Sequence, residues 1–139
     1  MSTKVLLAGL VSGITGFLLG WVVYGMLLAD FTAEHTIKYE GLMKEPPVLW
    51  AIFLSNTAWG ILYAHIFNRW GGIQSFGSGF SSGFLISLLI AVSIDLFYYA
   101  FMNMNDGMYL CVDALVTTIM GAIMAGIAAA MLGIGKAKS

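Results

Sequence analysis

Residues 108–133 read MYLCVDALVTTIMGAIMAGIAAAMLG, an apolar run that contains a single charged residue, Asp113. A helix needs about 20 mostly apolar residues to cross the hydrocarbon core of a bilayer. This run exceeds that length, and three further apolar runs occupy residues 5–29, 48–67 and 79–102. Backbone polar groups inside a bilayer must be paired within their own segment, which favours helices. The sequence therefore predicts an all-α fold, a four-helix transmembrane bundle.

The composition agrees with a chain that lipid surrounds. Of its 139 residues, 60% are hydrophobic and 9% are charged, whereas soluble domains carry about 25% charged residues. The net charge of −1 leaves no clustered basic face, so we expect no nucleic-acid partner. Cys111 is the single cysteine, which excludes an intramolecular disulfide. We expect one transmembrane domain over residues 1–139, with membrane lipid as its main surrounding.

The lysines and arginines predict the orientation, because cytoplasmic loops are enriched in them. If the N-terminus is cytoplasmic, the second loop and the C-terminal end are cytoplasmic as well. Four of the six basic residues then lie inside, namely Lys4, Arg69, Lys136 and Lys138, and two lie outside, namely Lys38 and Lys44. The sequence thus predicts a multi-pass protein with both termini on the cytoplasmic side.

The longest loop follows the first apolar run. It places Glu34 four residues before Lys38 and Glu40 four residues before Lys44, an order that stabilises a helix. A Pro-Pro pair then ends the pattern. We therefore expect a short helix over residues 31–45 at the outer membrane interface.

An internal similarity leaves open that the chain is two duplicated helical hairpins. Two runs share a polar pair followed by glycine: Asn56, Thr57 and Gly60 in the second run, and Thr117, Thr118 and Gly121 in the fourth. Each half would contain two crossings, so the repeats would be parallel. The similarity is short, and a single unduplicated unit stays equally open.

Small residues at a spacing of four occur in all four runs. Such residues let helix backbones approach closely inside a bilayer, where hydrophobicity does not drive helices together. The helix-packing candidates are Gly13, Gly16, Gly20, Gly79, Gly83, Gly121 and Gly126. In one interpretation these faces build the bundle of a single chain. The fourth run has two ridges of small residues, one at positions 114, 118, 122, 126 and 130 and one at positions 121, 125, 129 and 133. In the other interpretation, one of these two ridges is left over for an oligomer or a partner.

Four polar residues in the apolar runs are candidates for an ion or proton site. Asp95 lies within the third run, and none of the four runs contains Lys or Arg to neutralise it. An ionisable residue inside the membrane is costly and is a functional hypothesis by default, although a structural hydrogen bond is the alternative. Asp113 near the outer end, Tyr99 on the same helix face as Asp95, and Asn56 complete the set.

The sequence contains no phosphate-binding glycine loop and no spacing typical of a catalytic triad or haem site. We therefore expect no enzymatic activity, no catalytic residue, no metal and no cofactor. Two functions stay open. The chain acts by association, as a homo-oligomer or as an accessory subunit bound to another membrane protein. Alternatively, it is a small proton- or cation-coupled transporter or channel that uses Asp95.

Two short motifs carry a resemblance to a known family. Residues 16–21, GFLLGW, with Tyr24 after them, resemble the first helix of small bacterial membrane proteins known as domain of unknown function 1761. Asp113 and Ala114, leading to residues 120–123, MGAI, are similar to its closing helix. The resemblance implies a four-helix architecture in a bacterial cytoplasmic (inner) membrane, and it implies no activity.

Overall fold

The structure is a computed structural model that describes residues 1–135. Most of these residues are helical, and none of them lies in a strand. Lys136 and Lys138, which supported the predicted orientation, lie outside the described residues.

Five α-helices follow one another along residues 1–135. Helix α1 is Thr3–Val22 and continues as a π-helical turn, Val23–Leu27. Helix α2 is Ala29–His35 and helix α3 is Leu49–Ile66, which a second π-helical turn extends over Phe67–Gly71. Helix α4 is Phe76–Phe101 and helix α5 is Gly107–Gly133.

Side chains just before three of the helices set where they begin. Ser2, Ser75 and Asp106 each accept a hydrogen bond from a backbone N–H in the first turn of the helix that follows. Such capping satisfies one of the donors that a helix start leaves unpaired. Because Ser75 caps α4, this helix begins three residues before the predicted position of residue 79.

In the part of the chain that the structure describes, three helical segments are long and apolar enough to cross a membrane: Thr3–Leu27, Phe76–Phe101 and Gly107–Gly133. This finding indicates a multi-pass membrane protein. Helix α3 is shorter, with 18 residues, or about 27 Å at 1.5 Å per residue. It also carries Asn56, Thr57 and His65, which lower its hydropathy. The fourth crossing that the sequence predicted is therefore still a proposal.

The helix expected over residues 31–45 is wrong beyond His35. Thr36 has extended backbone angles and forms an antiparallel bridge with Asn105, in the turn between α4 and α5. The N–H of Ile37 donates to the carbonyl of Met104 at 2.7 Å. Pairing with a distant turn thus replaces the local helical hydrogen bonds, and the Glu–Lys spacings never come to lie on one helix.

Helix α5 lies at the centre of the bundle and contacts α4, α1 and α3. Helices α1 and α3 pack on each other, and α4 packs against α5. Lys4 Nζ donates to the carbonyl of Ile134 at 2.6 Å, which puts the start of α1 and the end of α5 at one end of the bundle. We call this the Lys4 end. The opposite end, with the turn before α5, is the Asp106 end.

Small residues are buried where α4 meets α5. A methyl group added at Gly83 would overlap the side chain of Ala125, and one added at Gly79 would lie 2.7 Å from the Ala125 carbonyl oxygen. At Gly121 the added methyl would meet Ser87 and, at 2.8 Å, the Tyr63 hydroxyl. At Gly126 it would meet the ring of Phe76 at 2.7 Å. Both ridges of α5 are therefore occupied by contacts within the chain.

Helices α1 and α3 approach each other in the same way. A methyl group at Gly13 would lie 2.5 Å from the Cα of Thr57, and one at Gly16 would lie 2.6 Å from Asn56 Oδ1. Gly20 is different, because the nearest atom to an added methyl is the flexible end of Met120 at 3.8 Å. The prediction that Gly20 mediates close helix packing is therefore wrong.

Candidate functional site

Two carboxyl groups share a cavity between α4 and α5 near the Asp106 end. Asp95 on α4 and Asp113 on α5 both line a space of about 320 Å³, and they are close enough to interact electrostatically. Tyr99, Tyr109 and Asn105 line the same space. The cavity lining contains no lysine, arginine or histidine, so that no protein cation balances the carboxyl pair there.

Asp113 is held in place by a tyrosine from another helix. The hydroxyl of Tyr24 donates to Asp113 Oδ1 at 2.7 Å and lies 3.1 Å from the hydroxyl of Thr117. A phenol has one proton, so when Tyr24 donates to Asp113 the hydroxyl of Thr117 must donate to Tyr24. Tyr24 belongs to the π-helical turn Val23–Leu27, a type of turn that is frequent at functional sites. The result is a fixed carboxylate with an ordered donor chain.

Asp95 differs from Asp113 because part of its carboxyl group is unpaired. Its Oδ2 atom is buried and has no hydrogen-bond partner among residues 1–135. Asn105 Oδ1, which belongs to the same cavity lining, is also buried and unpaired within that range. Buried polar atoms are nearly always hydrogen-bonded, and exceptions often mark a water or an ion. The unpaired oxygens thus mark this cavity as a place where a proton donor or a cation would find free acceptor atoms.

A second cavity adjoins the carboxyl pair on the side of α3. Its volume is about 280 Å³, and Asp95 and Asp113 line it together with Asn56, Trp59 and Thr117. The carboxyl groups therefore stand at the boundary of two cavities. Asn56 reaches this space, although its side-chain amide donates to the Ile52 carbonyl of its own helix at 2.9 Å.

The second cavity ends at a buried hydrogen bond between α3 and α4. The hydroxyls of Tyr63 and Ser87 are 2.6 Å apart, and Ser87 lies against Gly121. Beyond them toward the Lys4 end, α4 and α5 are packed through buried glycine and alanine residues. The two cavities at the carboxyl pair therefore lie in the half of the bundle near Asp106, and in the other half α4 and α5 are closely packed.

A strap formed by the segment after α2 ties the Asp106 end together. The N–H of Asp106 donates to the His35 carbonyl at 3.3 Å, and the Tyr39 hydroxyl donates to the Asn103 carbonyl at 2.9 Å. His35 Nδ1 and Asp106 Oδ2 are 2.5 Å apart. Two hydrogen bonds lower the pKa of Asp106 below its ordinary value. The one from His35 has the larger effect, and the one from the backbone N–H of Tyr109 has the smaller. Since Asn105 belongs to this turn, the strap positions one wall of the first cavity.

The structure brings the predicted ion-site residues together. Asp95, Asp113 and Tyr99 line the first cavity, and Asn56 meets both aspartates in the second. Sequence reasoning missed the contact of Tyr24 with Asp113, and it missed the pairing of His35 with Asp106. Their partners lie 89 and 71 positions away along the chain, and no local pattern signals either contact.

The cavities suit some ligands better than others. Within residues 1–135, no three or more His, Cys, Asp or Glu side chains form a group that could hold a metal ion, so a cation bound in these cavities would have the two carboxyl groups as its charged ligands. The available ligand atoms are carboxylate, carboxamide and hydroxyl oxygens, which are the atoms that hard cations prefer. Two carboxyl groups can also share a proton, because like charges at short range disfavour full ionisation of both. The arrangement can therefore hold a proton or a small hard cation.

Comparisons with known proteins give no relative for this chain: no family model, no curated protein and no solved structure matches it. The resemblance to domain of unknown function 1761 therefore stays a prediction.

Proposed function

We propose that the chain is a four-helix protein of a cytoplasmic membrane that binds a proton or a small cation at Asp95 and Asp113. The observation that carries the proposal is the position of both carboxyl groups in helices apolar enough to span a membrane, facing cavities without a basic side chain. Ionisable residues in such helices are costly and commonly mark ion or proton pathways.

The membrane placement includes α3 as the fourth crossing. Helix α3 packs along α1 through Gly13 and Gly60, so that it lies beside a helix that is itself long enough to span. Cytoplasmic loops are enriched in Lys and Arg, and four of the six basic residues lie on the side of the Lys4 end in this placement. The Lys4 end therefore faces the cytoplasm, and both termini are cytoplasmic. The cavities at Asp95 and Asp113 then open toward the outer half of the bilayer.

The two carboxyl groups have different roles in this proposal. Asp113 is fixed by the hydroxyl of Tyr24 and serves as the stationary negative charge. Asp95 has an unpaired, buried oxygen and takes up the proton or contributes that oxygen to the cation. Binding of a positive charge at this position offsets the repulsion between two carboxylates, which is strong where water is scarce.

Coupled movement of the ion across the membrane would require the Lys4 half of the bundle to open. The Tyr63–Ser87 hydrogen bond and the glycine contacts behind it close that route. We therefore propose a transporter-like cycle, in which the site exchanges with the Lys4 side only after this contact breaks. A permanently open channel through one chain does not fit such packing.

The test is ion uptake by purified protein in lipid vesicles. Proton flux is followed with an internal pH-sensitive dye under a potassium, sodium or pH gradient. Asp95→Asn is expected to abolish the flux, because the amide cannot take up a proton or supply a negative charge. Asp30→Asn, the same change in the short exposed helix α2, is the matched control and is expected to retain it. Undiminished flux in Asp95→Asn would exclude the proposed site.

Association is a second candidate function, and the exposure of α4 favours it. In the most apolar stretch of α4, 11% of residues are buried within the chain, against 50% in α5. A second copy packed on α4 would cover that face. Native mass spectrometry of the protein extracted gently from its membrane tests this idea: a homo-oligomer or a stoichiometric subunit supports it, and a monomer removes the support.

A further inference from the structure

A third cavity lies between α1 and α3. Neither aspartate of the carboxyl pair lines it, although Tyr24 and Asn56 do. Its volume is about 920 Å³, in the range of pockets that hold sizeable organic ligands. Its lining is almost entirely apolar and includes Phe17, Trp21, Leu49 and Ile52. An apolar cavity gains nothing from water, which needs several polar partners. The natural occupant is therefore an apolar group.

Gly20 leaves open space on the wall that α1 contributes to the cavity. Gly20 lines it, yet an added methyl group there would have only ordinary contact with the flexible end of Met120. Glycine within a helix is less favourable than alanine, and helix packing does not explain this one. The missing side chain keeps space open, which is consistent with a site that something else fills.

The dimensions of the cavity match one leaflet of a bilayer. Its wall on α1 runs from Gly16 to Gly25, ten residues separated by nine steps, or about 13 Å at a rise of 1.5 Å per step. Half of a hydrocarbon core of about 30 Å is about 15 Å. Trp21 and Leu49, which line the cavity, are 67% and 61% exposed, so that the cavity opens sideways onto the outer surface of the bundle. Met43 and Pro47 lie at its Asp106 end.

We propose that this cavity binds one hydrocarbon chain of a membrane lipid from the leaflet at the Asp106 end. A hydrocarbon chain about as long as the cavity enters sideways from the bilayer, follows α1 past Gly20 and ends near Met120. The inference rests on the membrane placement proposed above, and it does not depend on ion binding at Asp95 and Asp113. Met120 also lines the second carboxyl cavity, so a bound chain would seal the ion site from the side of α1.

The experiment uses phosphatidylcholine with a photoreactive diazirine in one acyl chain, in vesicles that contain the full-length protein. After illumination, labelled residues are identified by mass spectrometry. In wild type we expect a label on Met120, at the inner wall. Gly20→Leu is expected to lose the Met120 label, because its side chain would occupy the space in front of Met120, whose end lies 3.8 Å from a methyl group added at position 20. Gly77→Leu, where an added methyl group meets nothing within 4 Å, is the matched control and should keep it.

Two labelling results would overturn the proposal. A Met120 label that is absent in wild type, while outward-facing residues such as Leu85 are labelled, overturns the proposal and leaves lipid only around the protein. A Met120 label that persists in Gly20→Leu overturns it as well. If no helix is labelled, the membrane placement itself fails. Circular dichroism checks that the variants fold. If Gly20→Leu fails to fold, Ile52→Trp narrows the same cavity from α3.

Discussion

Gly83→Ala tests the close contact of α4 with α5 through the smallest possible change. The added methyl group would overlap the Cβ atom of Ala125 and would lie 3.6 Å from the Cα of Ala122. Carbon atoms pack best at about 3.5–4.0 Å. The two helices would therefore have to separate by roughly an ångström, which disturbs the neighbouring contacts at Gly79 and Gly121 as well.

The magnitude follows from two opposing terms. Overpacking a well-packed interior costs typically 1–3 kcal/mol, and replacing a helical glycine by alanine returns about 0.5–1 kcal/mol. We expect the free energy of unfolding to fall by about 0.5–2 kcal/mol in Gly83→Ala. Gly77→Ala, on the same helix but with open space around it, carries the favourable term alone and should be more stable than wild type by about 0.5–1 kcal/mol.

The assay is reversible unfolding in mixed micelles, with helix content followed by circular dichroism as the fraction of denaturing detergent rises. Gly83→Ala should be less stable than wild type, and Gly77→Ala should be more stable. If Gly83→Ala is as stable as Gly77→Ala, the backbones of α4 and α5 are not in close contact at this position. The reasoning about the small-residue ridge would then be refuted, together with the conclusion that both ridges of α5 are used within the chain.

Two further predictions concern the Asp106 end. Tyr24→Phe removes the hydroxyl that contacts both Asp113 and Thr117. The free energy of unfolding should fall by about 0.6–1.7 kcal/mol, the range for hydrogen bonds between membrane helices. Phe17→Leu, which removes no hydrogen bond, is the control variant. Because the pKa of Asp106 is lowered in the folded protein, its stabilising contribution is complete above its ordinary value of about 3.9 and is lost as the pH falls through the lower folded value. Hydrogen exchange of the Ile37 amide, corrected for the intrinsic rate, should therefore accelerate below about pH 4 in wild type and in Asp30→Asn. Asp106→Asn should show weak protection of this amide and no acceleration at that pH. If the acceleration persists in Asp106→Asn, a group other than Asp106 causes it.

Composition and run length predicted the helices because each depends on residues close together in the sequence. The bounds of α5 differ from the prediction by one residue, since the run from Met108 to Gly133 has an aspartate cap just before it. The failure over residues 31–45 has a different cause. The Glu–Lys spacings there are local signals, and the backbone pairing of Thr36 and Ile37 with the turn before α5 is a long-range contact that overrides them.

The candidate site was predictable in part for the same reason. Asp95 and Asp113 could be singled out because a carboxyl group in an apolar run is costly wherever it points. Which partners they have depends on helix rotation, which the sequence does not specify. Tyr24 reaches Asp113 from a π-helical turn, and a turn of that kind has no simple sequence signature. Gly20 illustrates the converse: its spacing is that of a packing glycine, but its surroundings are an open cavity.

The most direct test of the account is an infrared difference spectrum of the protein in lipid, recorded as the pH is changed and as sodium or potassium is added. Protonation or cation binding at a carboxyl group alters its C=O stretching band. The account predicts a carboxyl band that changes in wild type and in Asp30→Asn and is missing in Asp95→Asn. A wild-type spectrum with no change in this band under either condition, or the same change in Asp95→Asn, would contradict the proposal that Asp95 and Asp113 bind a proton or a cation.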